Sequence, residues 1–242
     1  RSTFGWFEKI PQRTSMKWFI DLLTSSLGRK LLMALSGLFL IVFLAVHLAG
    51  NLQLLKHDGG ESFNLYARFM TSNPLIKTVS YVNYFLILLH IFIAAFLTRK
   101  NKSARGPVGY EVTNKSSRWA SRNMGILGTI VLIFLVIHMR DFWAQMHWGD
   151  QVQMISYDGT AQVKDLYAHV YMWFHKGWYV ALYVVCMGFL AFHLLHGFTS
   201  AFQTLGLNHA KYNPVINFVG RAFAILVPAA FALIPLSIYL NS

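Results

Sequence analysis

Five stretches of this chain run for about 20 residues or more with almost no charge, the length a helix needs to cross the hydrocarbon core of a bilayer. They cover residues 31–55, 78–98, 123–143, 177–202 and 215–240. Backbone in hydrocarbon must satisfy its own hydrogen bonds, which restricts such stretches to helix. The predicted fold class is therefore all-α: an integral membrane bundle of five transmembrane helices, forming a single membrane domain over 1–242. Composition agrees, since 55% of residues are hydrophobic and only 12% are charged, outside the range of an ordinary soluble domain. Pro228 and Pro235 fall inside the fifth stretch and are expected to kink it, which neighbouring helices in a bundle tolerate. The single cysteine, Cys186, excludes an internal disulfide and argues against a thiolate metal cluster.

The net charge of +12 raises the question of nucleic acid, but its distribution points to membrane topology instead. Fifteen Lys and Arg lie in the N-terminal segment, in the Arg99–Arg122 connection and at Lys211 and Arg221. Six lie on the opposite side, together with six acidic residues. The positive-inside bias then places the N-terminus in the cytoplasm and the C-terminus outside. Trp143, Trp148, Trp173 and Trp178 collect at the outer interface, where amphipathic rings are favoured. The charged, aromatic start lacks a small-residue cleavage pattern, so no signal peptide is expected, and a first residue of Arg1 reads as a trimmed or processed start.

Four of the apolar stretches carry histidine well away from their ends: His47, His90, His138 and the pair His193/His196. An imidazole in hydrocarbon is costly and needs a partner. One such residue is accounted for by a hydrogen bond to a neighbouring helix; one in each of four helices at matched depths is not. At about 1.5 Å per residue, His47 lies roughly 25 Å and His138 roughly 24 Å from the inner boundary. His90 lies about 14 Å from it, His193 about 15 Å and His196 about 10 Å, so either of the last two is placed to meet His90. The layout is an outer pair and an inner pair, separated by roughly 10 Å or a little more. Haem iron is the leading partner for paired imidazoles in a membrane. Gly37, Ala45, Ala49 and Gly50 near His47, and Gly197 beside His196, leave room for a macrocycle to approach the backbone. A proton relay would normally bring intramembrane carboxylates; the nearest here, Asp141, lies at an outer end.

The segments LSGLFLIVFLAVHLAGNLQ around His47, HIFIAAFLTRKNKSARGPVGY from His90, SSRWASRNMGILG before His138 and HLLHGFTSAFQTLGLNH around His196 stand in this order over all five stretches. In them the chain resembles the cytochrome b membrane-anchor subunit of bacterial succinate dehydrogenase and fumarate reductase, in its five-helix, two-haem form. The resemblance implies two haem b groups, the outer one held by His47 and His138 and the inner one by His90 and His196. Its Leu-His-Gly context matches Leu195-His196-Gly197, which makes His193 a neighbour of the haem or a hydrogen-bonding residue. The chain departs from some fumarate-reducing members at Leu194, where those carry a glutamate implicated in proton movement. The expected direction is therefore succinate oxidation with menaquinone, assisted by the membrane potential.

On this resemblance the chain is expected to pass electrons between an iron–sulfur subunit and a membrane quinone. A flavoprotein subunit would carry the succinate chemistry. The expected location is the bacterial cytoplasmic membrane, with docking through the basic inner face and a higher oligomer of the complex left open. No nucleic acid partner is expected. Arg118 and Arg122 inside and Arg140 outside are candidate partners for haem propionates, because guanidinium suits carboxylate bidentately. His147, Trp148, His169, Trp173 and His175 form a candidate outer group for a quinone head; His57 and His209 read as ordinary loop residues. The alternatives are a di-haem anchor of a hydrogenase or formate dehydrogenase and, in a different class, a non-redox transporter with structural histidines.

Overall fold

A computed structural model describes residues 15–105, 122–159 and 162–241. Helix α1 (Ser15–Thr24) leads into α2 (Ser26–Asn51), which tightens into a 3-10 turn over Leu52–Leu55. Helices α3 (Glu61–Ser72) and α4 (Pro74–Arg105) follow. Next come α5 (Met124–His138), a π-helical turn (Met139–Trp143) and α6 (Ala144–Trp148). A two-stranded hairpin, β1 (Met154–Ile155) and β2 (Val163–Lys164), precedes α7 (Leu166–Phe174), α8 (Gly177–Thr204) and α9 (Asn213–Leu240). Among the described residues five helices are long and apolar enough to cross a membrane: α2, α4, α5 with its continuation, α8 and α9. The expected all-α, multi-pass membrane architecture is what the chain adopts.

The helices outrun their apolar stretches where polar residues supply good ends. Ser25 caps α2, its Oγ accepting from the Gly28 amide at 2.9 Å. Asn73 caps α4, its Oδ1 accepting from the amides of Leu75 at 3.0 Å and Ile76 at 3.3 Å, with Pro74 in the first turn. The second stretch, predicted over 78–98, is thus a 32-residue helix. Lys, Arg and Asn beyond Leu97 sustain helix once the chain has left the apolar zone. Both prolines of α9 are buried inside one unbroken helix, Asn213–Leu240.

Helix α8 is the hub. Its nine buried residues, from Tyr179 and Tyr183 through Cys186, Met187, Leu190 and Leu194 to Phe198 and Ala201, follow the period of a helix. They pack against α9 most closely. A Cβ at Gly220 of α9 would lie 2.5 Å from the Phe198 ring, so only glycine admits that approach. The faces turned away from the hub stay apolar: Phe92 is 70% and Phe218 74% exposed in the bare chain. Such surface is unsuited to water and matched to lipid.

One end of the bundle carries a cap that hydropathy did not foresee, built from α3, the hairpin and α7. The strands pair antiparallel, Met154 opposite Lys164 and Ile155 opposite Val163. Asn64 ties the three pieces together while only 1% exposed. Its Nδ2 donates to the Tyr157 hydroxyl at 2.8 Å and to Asp165 Oδ1 at 3.0 Å, and its Oδ1 accepts from the Tyr167 amide at 2.9 Å. Gly60 opens α3 at φ +91°, and the Tyr167 ring fills the space a Cβ would need. Replacing Asn64 by Ala removes all three of these bonds. It is expected to cost about 1–3 kcal/mol, read as a lowered thermal midpoint in detergent and faster proteolysis between residues 150 and 165.

Candidate functional site

The membrane-embedded histidines meet two by two. His47 on α2 and His138 on α5 stand edge to face, ring centres 5.8 Å apart. Phe43 stacks on His47 at 5.3 Å and Phe231 of α9 approaches it at 5.7 Å. Phe134 and Phe142 flank His138 on its own helix, and Tyr183 of α8 closes the fourth side. At the second level His90 on α4 faces His193 on α8, ring centres 6.4 Å apart. Gly37 of α2 lies under His90, where a Cβ would be 3.4 Å from Cε1. Gly128 of α5 stands in the same relation to His193, at 3.8 Å. Gly37, expected near His47, therefore serves the other level, and Gly50 makes room for Tyr66 of α3 instead.

Three helices give the separation of the levels independently. On α2, His47 is 11 residues from Ser36, which touches His90. On α8, His193 is 10 residues from Tyr183, which touches His138; on α5, Gly128 is 10 residues from His138. At 1.5 Å per residue all three place the levels roughly 15 Å apart. This exceeds the roughly 10 Å or a little more expected from loop charges, which need not lie at one depth on different helices.

Hydrogen bonds orient the rings. The Ser36 hydroxyl donates to the Met33 carbonyl at 3.1 Å, so towards His90, also at 3.1 Å, it presents an acceptor. That arrangement pairs with the His90 tautomer protonated on Nδ1, which leaves Nε2 as a lone pair. His193 Nδ1 is buried with no hydrogen-bond partner among the described residues. His47 is less constrained: Asn51 Nδ2 donates to its carbonyl at 2.7 Å and lies 3.4 Å from its Nε2. His196 lies one turn beyond His193 on α8, half-buried and engaged in contacts of its own.

The end of the third span holds residues that the sequence reading missed. A π-turn begins directly after His138, and such turns recur at functional sites. It buries Asp141 to 4% exposure inside a helix that continues to Trp148. Arg140 grips this carboxylate through Nε at 2.6 Å and Nη2 at 3.0 Å, so Arg140 already has an acid within its own chain. Tyr179 donates to Asp141 Oδ2 at 2.9 Å, and His169 Nε2 donates to the Asp141 carbonyl at 2.8 Å. Of the other expected arginines, Arg122 stands just before α5, and Arg118 lies outside the described residues. The expected quinone group is divided. His147 and Trp148 gather around Trp143; His169 and Trp173 join the cluster of Phe142 and Tyr179; His175 Nδ1 bonds to the Tyr171 carbonyl at 2.6 Å. Asn83, two turns before His90, is also buried, with its Oδ1 unpartnered. A lone amide in the run YVNYFLILLH was the available signal for it.

No protein-family model, no curated protein and no solved structure matches this chain.

Ser36→Ala strands the His90 Nδ1 proton and is expected to lower stability by about 1–2 kcal/mol. Gly37→Ala gains helix propensity against one close contact, and is expected to stay within about 0.5 kcal/mol of the parent. Thermal denaturation of the two variants in one detergent compares them.

Proposed function

We propose that the chain is a di-haem b membrane anchor of a succinate:quinone oxidoreductase. The observation that carries this reading is the meeting of imidazoles in pairs, at two levels, each pair drawn from different helices. His47 and His138 stand 5.8 Å apart between ring centres; the 6.4 Å pair at the other level is His90 with His193. Imidazole nitrogen is the donor chemistry an iron would use, and at the second level His193, whose Nδ1 has no hydrogen-bond partner among the described residues, is the rival to His196. The residues therefore fit the group.

His47 and His138 would hold one haem. For the other we keep His90 with His196, as the resemblance implies, and give His193 the place of the neighbouring ring. Bound there, the two haems would supply reversible one-electron relays at two depths between an iron–sulfur partner and a membrane quinone, for which menaquinone is proposed. The protein sets their potentials through axial ligands, burial and hydrogen bonds. The aromatic walls of Phe43, Phe134, Phe142 and Phe231 exclude water from the His47 level. The positive-inside bias supports an N-terminus in the cytoplasm; the proposed membrane is the bacterial inner membrane, with the basic inner loops facing the flavoprotein and iron–sulfur subunits.

A dithionite-reduced minus oxidised spectrum of the purified protein is expected to show b-type haem, about two per chain. Absence of haem ends this reading. His47→Ala and His138→Ala should each remove one haem and spare the other. Replacing His193 and His196 in turn identifies the α8 ligand, since only the ligand's loss removes the second haem. In sealed vesicles holding the complete complex, an uncoupler should slow succinate-to-menaquinone turnover; unchanged turnover rejects assistance by the membrane potential.

A further inference from the structure

A continuous run of hydrogen bonds leads from the surface to His138. Its outer end is Arg140, whose side chain is 68% exposed and whose guanidinium grips Asp141 through two nitrogens. Asp141 is buried to 4% and accepts from the Tyr179 hydroxyl at 2.9 Å. The Tyr179 and Tyr183 hydroxyls lie 3.2 Å apart, and the Tyr183 hydroxyl lies 3.3 Å from His138 Nδ1. Tyr179 is wholly buried and Tyr183 nearly so, at 0% and 6% exposure, so water does not compete for these groups.

Proton counting sets the direction of every bond. Each tyrosine has one hydroxyl proton, and an ionised carboxylate only accepts. Asp141 accepts from Arg140 through both oxygens and from Tyr179 at Oδ2. Tyr179 therefore spends its proton on Asp141, and its oxygen is left to accept. With that proton spent, the 3.2 Å contact between the two hydroxyls is a hydrogen bond only if Tyr183 donates. Towards His138, Tyr183 then offers only a lone pair, and the imidazole must present Nδ1–H.

From this we infer that Asp141, through the Tyr179–Tyr183 relay, writes the tautomer of His138, holding the proton on Nδ1 and the lone pair on Nε2. Asp141, Tyr179 and Tyr183 are positioning residues. The tautomer follows from the relay alone, whatever Nε2 meets. Its consequence for a bound iron rests on the di-haem reading: an Nδ1–H bonded into a chain ending on a carboxylate makes the imidazole a more basic ligand. That lowers the potential of the haem at this level and leaves the other untouched. Ser36 performs the corresponding service for His90 with a single hydroxyl and no charge, so the two levels differ in how strongly the outer nitrogen is polarised.

The test uses Tyr179→Phe, which cuts the relay without touching His138. Nitrogen-15 spectra of the full chain, histidine-labelled and produced without haem in lipid bilayers, read the tautomer directly, with His138→Gln assigning the signal. The parent should show His138 protonated on Nδ1. Tyr179→Phe frees Tyr183 to donate, and should move the tautomer ratio roughly fivefold to tenfold towards Nε2–H. A parent protonated on Nε2, or a ratio that Tyr179→Phe leaves unchanged, overturns the inference. If the chain folds only with haem bound, the redox titration decides. Tyr179→Phe should raise the potential of the haem lost in His138→Ala and leave the second haem unmoved; no shift, or an equal shift of both, overturns the inference. If the chain binds no haem, the di-haem reading falls and the nitrogen-15 result still decides the relay.

Discussion

An imidazole buried in the middle of a membrane needs a place for each nitrogen, and the rest of this structure is arranged around that requirement. One nitrogen is turned to a hydroxyl: Ser36 for His90 and Tyr183 for His138. The other is left to a second imidazole and to whatever the two share. Each level draws on four helices. The His47 level takes α2, α5, α8 and α9, and the His90 level takes α2, α4, α5 and α8. Because α2, α5 and α8 serve both levels, their packing fixes the distance between them. Rigid helices make that distance a property of the fold rather than of any single contact.

The packing of α8 follows from the same demand. Its buried face carries tyrosines at one end, the sulfur-bearing Cys186 and Met187 in the middle, and His193 towards the other end. A helix that bears polar groups at several depths must keep them off the lipid, and a central position does so. The helices around it turn large apolar side chains outward, as they must where the solvent is hydrocarbon. The capping pieces α3, the hairpin and α7 obey a different rule. They lie beyond the apolar stretches and are held by the polar hub of Asn64, where backbone and side-chain groups satisfy one another.

Asp141 shows how one local irregularity reorganises a site. The π-turn after His138 inserts an extra residue into the helix, which changes the faces on which the following side chains emerge. Asp141 thereby points at the tyrosines of α8 while Arg140 reaches the surface. Its carbonyl accepts from His169 of α7 and ties the cap to the third span. One turn therefore joins a membrane-buried histidine, a charged pair and the extramembrane cap.

Much of this was legible in the chain itself. Runs of apolar residues of fixed length dictate helices in a bilayer, since no other backbone arrangement short of a closed barrel satisfies its hydrogen bonds there. Histidine positions along those runs gave two levels by simple rise per residue, and His47 with His138 is the pair the structure brings together. Which neighbours surround each ring was not legible, because rotation of one helix against another leaves no trace in hydropathy. Gly37 was placed beside the wrong histidine for that reason, and the ring found against His90 is His193, one turn from the residue that motif context favoured. Nor did the sequence disclose that Asp141 turns inward: a carboxylate near a span's end reads as solvated until a π-turn aims it at Tyr179. The sequence determined the spans, their order and the division of the imidazoles into two levels, because these depend on distance along a helix. The tertiary structure alone decided pairing, tautomer and the company of each ring, because these depend on which faces of separate helices meet.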